Sequence, residues 1–451
     1  MDRIYSEAYL NLSADWPSKE GGLFRDREPV SYQRLELDAT IPPARAGDIQ
    51  VSGRHRFSVI DVPLWHQQVS LSPLNRRGWV LQERLLARRV IHFGCREILW
   101  ECRERTLSES FPHVPINDNF DQAAAYRTLK RFRPPNFGTG FHESTLKYWN
   151  QEPRSVPTDF KYLVWFDIVK DYSYSDLTRG SDKLVAISGV AKYMKPFLND
   201  TYVLGLWTKF LAGELLWRCG NRNSKRKDYR KWIENCDYRS PSFSWASIDG
   251  DISPGQPLVR GLLVQVQCIP YRHQVGGRQD NDSFTRSSKS LDPVIGDIGD
   301  IFGPALRPIA EVRVTGFLRR MRLRRRRDKW SLQRWTDDSE CEDTHLNLDF
   351  EVAPSEQKEI MDQTFYYMCW DKFRYPPPEE DFAGDLMLLR LEDPDMGRFR
   401  RIGTAYHWSY ASSAQEMEDS MELYLAAEDV ADRLPCWRYD AKSEKHTIFL
   451  V

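Results

Sequence analysis

The stretch Leu74–Cys102, LNRRGWVLQERLLARRVIHFGCREILWEC, decides how this chain folds. Ser72 and Pro73 stand just ahead of it, where a serine can cap a helix and a proline can take the first helical position. The spacing predicts a helix over 73–86. Trp79, Gln82, Glu83 and Leu86 recur at i, i+3, i+4 and i+7 and so share one side. Val80 and Leu81 flank that side, so the helix is expected to be largely buried. Arg88 to Phe93 then alternates, with Val90 and His92 on one face and Ile91 and Phe93 on the other. Gly94-Cys95-Arg96 is a turn. Glu97 to Arg103 alternates again, with Ile98, Trp100 and Cys102 on one face. The stretch therefore reads as a helix followed by a β-hairpin.

Upstream, residues 1–14 open with an amphipathic helix, and 31–60 carry short strand-like runs broken by Pro42-Pro43, Gly47 and Gly53. Downstream, 104–160 is polar and punctuated by proline, which predicts a long loop. Residues 161–198 read as helical, with one stripe at Tyr162, Trp165, Phe166 and Val169 and another at Leu184, Ile187, Val190 and Ala191. Tyr202 to Trp217 reads as a further apolar helix, and a basic loop covers 221–231. Ser240 to Gly250 alternates and ends in an Asp-Gly turn. Beyond it, 258–269, 309–323, 363–370, 385–391 and 399–407 read as strands, with a polar insertion at 272–300. The expected class is mixed α+β, in three regions. These are 1–110 around the opening stretch, a largely helical middle at 111–235, and a mostly β region at 236–451.

The chain has 451 residues, 41 % of them hydrophobic and 13 % aromatic, with 15 Trp. That is enough for a sizeable core and argues against disorder. The net charge of -1 gives no global pull toward nucleic acid or an acidic membrane, so nucleic acid is not an expected partner. No stretch approaches the roughly 18 apolar residues of a spanning helix, and Met1-Asp2-Arg3-Ile4-Tyr5 is not a charged n-region followed by an apolar h-region. A cytoplasmic protein with no membrane partner is expected. The eight Cys are scattered without CxxC spacing, so reduced thiols are expected.

Glu83 with Gln82 is the leading catalytic pair, because a buried carboxylate can act as a general base while an amide orients a substrate. The plainer alternative pairs Glu83 with an arginine such as Arg76 or Arg84 and spends Gln82 on backbone groups. Trp79, His92 and Trp245 are the substrate-binding candidates, each weighed against a core role. The nine His are dispersed without metal-ligand spacing, so neither metal nor cofactor is expected. Ser242 and Ser244 lack the Gly-x-Ser-x-Gly elbow of a hydrolase nucleophile. Glu342-Asp343-Thr344-His345 reads as a polar loop. The basic run Arg319–Arg327 is either a targeting or anion-binding patch or the exposed end of a β-hairpin balanced by the acids at 337–343. The second reading is preferred.

Several segments in this order resemble the fungal heterokaryon-incompatibility (HET) domain family. Ile4–Leu10 with Gly22–Arg27 is similar to the end of that family's second block. Leu74–Glu83 and on to Cys102 is similar to the third block, where a tryptophan, a glutamine and a glutamate mark the helix. Trp165–Ser173, Leu177–Ala191 and Pro241–Gly250 resemble segments that follow the domain in such proteins, and Arg400–Gly403 resembles a recurrent C-terminal strand. The family's opening strands, with their Ser-Tyr-aliphatic-Trp-Gly and Trp-Ile-Asp signatures, do not occur here. The resemblance implies a HET domain lacking its N-terminal half, an open sheet edge where those strands would lie, and a role in non-self recognition with the family's own activity degenerate. A protein partner could cover the open side. The alternative is a cofactor-independent cyclase or isomerase of fungal secondary-metabolite biosynthesis, holding a small apolar metabolite in an aromatic-lined pocket. Whether the chain is an enzyme is left open by its residues.

Overall fold

In the computed structural model, which describes most of residues 2–113, 160–270 and 310–451, the chain is mixed α+β with a mostly β C-terminal region. It divides into two units. One comprises residues 1–156, 174–178 and 186–197, and the other 157–173, 179–185 and 198–451.

The first unit is built on helix α1 (Asp2–Glu7), strand β1 (Asn11–Ala14), a hairpin of β2 (Leu35–Ile41) and β3 (Gly53–Val59), helix α2 (Gly78–Leu86), and strands β4 (Arg89–Phe93), β5 (Ile98–Cys102) and β6 (Thr106–Ser108). The sheet order is β1-β4-β5-β6. β1 runs parallel to β4, with Ser13 beside His92, and β4 and β5 form the expected antiparallel hairpin, with His92 opposite Leu99. β1 stands at an edge of this sheet, where Leu12 is 50 % exposed.

Two expectations are corrected here. The predicted helix over 73–86 begins only at Gly78, because the preceding residues are tied elsewhere. The Ser72 hydroxyl accepts the Asn75 amide at 3.2 Å, and the extended Arg76–Gly78 backbone exchanges hydrogen bonds with Asp176 at 2.6 and 2.9 Å. The buried side of α2 is also not the one read from spacing. Val80, Leu81, Gln82, Arg84, Leu85 and Leu86 are buried, whereas Trp79 and Glu83 are partly exposed. On β5 it is Leu99 and Glu101 that are buried, and Ile98, Trp100 and Cys102 lie on the more open face.

The second unit begins with the short strands β7 (Tyr202–Val203), β8 (Leu206–Trp207), β9 (Arg218–Cys219) and β10 (Ile252–Ser253) and rests on one twelve-stranded sheet. Its main path is β11-β12-β22-β20-β19-β17-β13-β14-β15, where β11 is Gln265–Pro270, β12 Ala310–Gly316, β13 Leu318–Arg326, β14 Lys329–Arg334, β15 Glu340–Cys341, β17 Phe365–Cys369, β19 Phe382–Asp393, β20 Arg398–Ser409 and β22 Lys445–Leu450. Three further strands, β16 (Thr344–Leu348), β18 (Phe373–Arg374) and β21 (Arg438–Asp440), pair with β20, β19 and β22 respectively. The pairing is antiparallel except between β20 and β22, which meet in parallel at Phe399 and Leu450. Thr344 and His345 are thus in a strand, not a loop. The apolar residues Met321, Leu323, Phe365, Tyr367, Leu386, Leu388 and Ile402 are fully or almost fully buried and form one core face.

Helices Phe160–Ser173 and Lys183–Leu198 lie where expected, and both predicted stripes are buried. The helix expected over 202–217 is instead a short hairpin, Tyr202–Val203 against Leu206–Trp207, followed by a single turn at Leu211–Glu214. Leu204 (φ 49°) and Gly205 (φ 97°) both sit in the left-handed region, the requirement of a tight two-residue hairpin turn. Residues 245–247 form one 3-10 turn capped by the Ser244 hydroxyl, in place of the expected alternation. The readings for 114–159, 221–227 and 272–300 fall outside the described residues. Six described cysteines are free thiols, and among the described residues no helix is long and apolar enough to cross a membrane.

Candidate functional site

The short strand β1, helix α2 and the β4–β5 hairpin bring four ionisable side chains together inside the first unit. The His92 Nδ1 lies 2.8 Å from Asp15 Oδ2, and its Nε2 lies 3.0 Å from Glu101 Oε2. Arg84 donates from Nε to Glu101 Oε2 at 2.9 Å and from a terminal nitrogen to Oε1 at 3.4 Å. Asp15 also accepts the Ser72 hydroxyl and the Asn75 amide, each at 2.9 Å. Trp65 closes the cluster, with its ring edge-on to His92 at 5.6 Å and 5.7 Å from the Arg84 guanidinium. Exposure is 0 % for His92 and Glu101, 1 % for Asp15 and 4 % for Arg84.

Each nitrogen–carboxylate contact of His92 needs a proton between its partners. The chemistry of such a group is internal cohesion. Its members bond one another and the neighbouring Ser72 and Asn75, and all four side chains are shielded from solvent.

The candidates read from the sequence separate around this cluster. His92 is its centre. Gln82 is buried and packs on Gly189, where an added Cβ would meet its Oε1 at 2.4 Å. Glu83 lies on the more open side of α2 and pairs with the Tyr5 hydroxyl. Burial and this carboxylate together push Tyr5 up to about 12. Trp79 is partly exposed on the same helix. The structure thus places Gln82 and Glu83 in different surroundings.

Trp245 belongs to the second unit, in an aromatic core. It is 2 % exposed and donates its indole N–H to the Gly205 carbonyl at 2.9 Å. Trp165 donates to the same oxygen at 3.3 Å, Trp217 to the Phe243 carbonyl at 2.8 Å, and Trp370 to the Ala212 carbonyl at 2.8 Å. Each of these indoles satisfies a backbone acceptor while its ring fills core volume.

Three ionisable groups of the second unit escaped the sequence reading. Lys183 is buried, donates to the Ile248 carbonyl at 2.5 Å, and stands 5.5 Å from the Trp245 ring. Burial, reinforced by the charge of Arg239, lowers its ammonium to about 7. Glu214 accepts the Trp207 amide at 2.9 Å, and burial holds its carboxyl well above the usual range. Asp371, which accepts the Asp385 amide at 2.8 Å, is pushed up to about 7 by burial and then by the Asp385 charge. Nothing in the local sequence around these residues distinguishes them from surface charges. For Glu101 a signal does exist. It alternates with Leu99 across from Val90 and His92, so the hairpin register alone places it beside the histidine.

Among the described residues, no group of three or more His, Cys, Asp and Glu is placed to hold a metal ion. Comparison with known proteins finds no matching family model, no matching curated protein and no matching solved structure.

Proposed function

We propose that this chain is a HET-family-like fungal protein of non-self recognition that acts by binding, its first unit serving as a scaffold without turnover. The observation that supports this reading is the closed cluster beneath α2. His92 bonds Asp15 and Glu101, Arg84 donates to Glu101, and both are shielded from solvent. A general base needs reach to a substrate proton. Gln82 is buried against Gly189 and Glu83 is engaged with Tyr5, so the pair expected to do chemistry is divided.

The competing reading, a metabolite cyclase or isomerase, drew on the tryptophans. Four of the deeply buried indoles are bonded to backbone carbonyls of their own unit, which weighs for core packing over a substrate lining. The test is expression in a filamentous fungus of the wild type, Glu83→Ala and Gln82→Ala, with growth and viability scored. Equal behaviour of all three is expected. Cell death that either substitution relieves would overturn the scaffold reading and return Glu83 or Gln82 to a catalytic role.

A further inference from the structure

The strand register gathers a polar row on one face of the large sheet. Asp385 on β19 stands opposite Tyr406 on β20, and Tyr406 stands opposite His345 on β16. Opposed residues of neighbouring strands share a face, so the three form one row. Asn347 and Thr404, two residues along β16 and β20, lie on the same face and oppose each other. Strand β9 crosses that face. The Asn347 amide donates to the Cys219 carbonyl at 2.7 Å, and its oxygen accepts the Cys219 N–H at 2.9 Å. Arg218, the residue before, therefore reaches the row. Its guanidinium lies 5.2 Å from the Tyr406 ring centroid, and one terminal nitrogen donates to Asp385 Oδ1. Asp371 joins the group by accepting the Asp385 amide at 2.8 Å.

These side chains keep bonding capacity in reserve. Among the described residues, Arg218 donates from Nη2 alone, and its Nε and Nη1 make no hydrogen bond. Each aspartate engages Oδ1 and leaves Oδ2 without a hydrogen bond. The Arg218 side chain is 37 % exposed and that of Asp385 17 %, so solvent reaches the pair. Thr404 is the reverse, 1 % exposed with a hydroxyl that has no partner. An unpaired buried hydroxyl is costly, and it marks this face as suited to one more polar partner. Burial, and then the Asp385 charge, push Asp371 up to about 7. Just below that pH Asp371 is protonated, and the Arg218 cation faces the Asp385 anion with no net charge left over.

We propose that Arg218, Asp371 and Asp385 bind a neutral sugar through two vicinal hydroxyls. A hydroxyl donates once and accepts twice, so a vicinal pair matches unused guanidinium donors beside unused carboxyl oxygens. Hydrogen bonds to charged groups are the strong ones. An anion would meet the two carboxyls. A metal ion would meet the Arg218 charge, and among the described residues no group of three or more His, Cys, Asp and Glu is placed to hold one. An apolar ligand would strand the charges away from water. The group is also set in advance. Arg218 is paired through β9 with Ser253 of β10, and Asp385 lies inside the sheet between β17 and β20, so little ordering is left to binding. The site lies wholly in the second unit, so its test stands apart from the scaffold reading of the first.

The experiment is calorimetric titration of the full chain at pH 6 with chitotriose, mannotriose and laminaritriose. Wild type is compared with Arg218→Gln and Asp385→Asn, each checked by circular dichroism and thermal melting. Saturable binding of at least one trisaccharide is expected, weakened roughly tenfold or more by either substitution. The permethylated form of that sugar, which has lost its hydroxyl donors, should not bind. If these variants do not fold, Arg218→Lys, at a half-exposed side chain, carries the comparison and must weaken binding. No binding of any of the three sugars would overturn the proposal, as would binding indifferent to the substitutions or to permethylation. Tighter binding of inorganic phosphate or of calcium chloride, lost in the same variants, would also overturn it and assign the group to an anion or a cation.

Discussion

Both units bury charge as well as apolar side chains, but they weight the two differently. The first unit places charge at its centre, with Asp15, Arg84, His92 and Glu101 buried under Trp65, and leaves Ile4, Tyr9, Leu12, Leu35, Leu37, Phe57, Val59 and Leu71 exposed. The second unit packs Trp, Tyr, Leu and Met on a large sheet, and among its described residues the exposed large apolar ones are Leu262, Met396 and Trp437. A charge cluster gives directional, all-or-none cohesion, because removing one member strands the others. An apolar core is non-directional and loses stability in proportion to the volume removed. The same type of damage should therefore produce different kinds of failure in the two halves of the molecule.

The strongest break falls in the first unit. Glu101→Ala leaves His92 and Arg84 without their shared carboxylate, and a loss of about 3–5 kcal/mol is expected. Urea denaturation with hydrogen exchange followed on α2, β4 and β5 measures it. A loss under about 1 kcal/mol would mean that water enters the cluster and that burial does not set its strength. Replacing all four members together with apolar residues of matching volume should recover most of that loss, since the cost lies in stranding a charge.

In the second unit the corresponding break is Leu388→Ala, a fully buried core position. About 3 kcal/mol is expected, with the exchange protection of β17 and β19 reduced and that of β4 and β5 unchanged. Gly205→Ala should cost about 1–3 kcal/mol, because alanine resists a φ of 97° and its Cβ would lie 2.7 Å from the Trp245 indole nitrogen. Thermal melting against wild type reads both.

The pH response sharpens the contrast further, because Asp371 and Lys183 of the second unit act in two windows. Asp371 is raised to about 7, so between the ordinary carboxylate value of 3.8 and about 7 the folded chain holds a proton that the unfolded chain releases. Stability falls as pH rises through that window. Lys183 is lowered to about 7, so between about 7 and 10.5 the unfolded chain holds a proton that the folded chain lacks, and stability rises with pH. Denaturation midpoints over pH 4 to 10 should fall and then rise, with Asp371→Asn flattening the first limb and Lys183→Met the second. The smallest effect belongs to Glu83→Ala, on the open side of α2, where a change within about 0.5 kcal/mol is expected.

What could be read in the sequence was what local spacing determines. The stripe at Leu184, Ile187, Val190 and Ala191 marks a buried helix face, and the alternation of Val90 and His92 marks a buried strand face. Both are buried. Where partners come from far along the chain, spacing was silent. It could not tell that Asp15 would meet His92 from a strand 77 residues upstream, nor that Glu101 would be the buried member of β5. It turned Tyr202–Trp207 into a helix because a left-handed leucine before glycine is not a signal that hydrophobic periodicity carries. The pairing of β20 with β22, parallel within an otherwise antiparallel sheet, is likewise decided by topology.

The Gly205 carbonyl has a consequence for the order in which the second unit assembles. It receives indole donors from residues 165 and 245, one well before it in the chain and one well after, and the Ser244 hydroxyl holds the adjacent Leu204 carbonyl at 2.6 Å. During synthesis, the turn at 204–205 emerges with only one of these three donors in existence. It gains its full set of bonds only after residue 245 has been made. The short hairpin is therefore a late-locking element, and a ribosome-bound chain ending before residue 244 should show this turn open to protease while a chain extended past the 245–247 turn protects it.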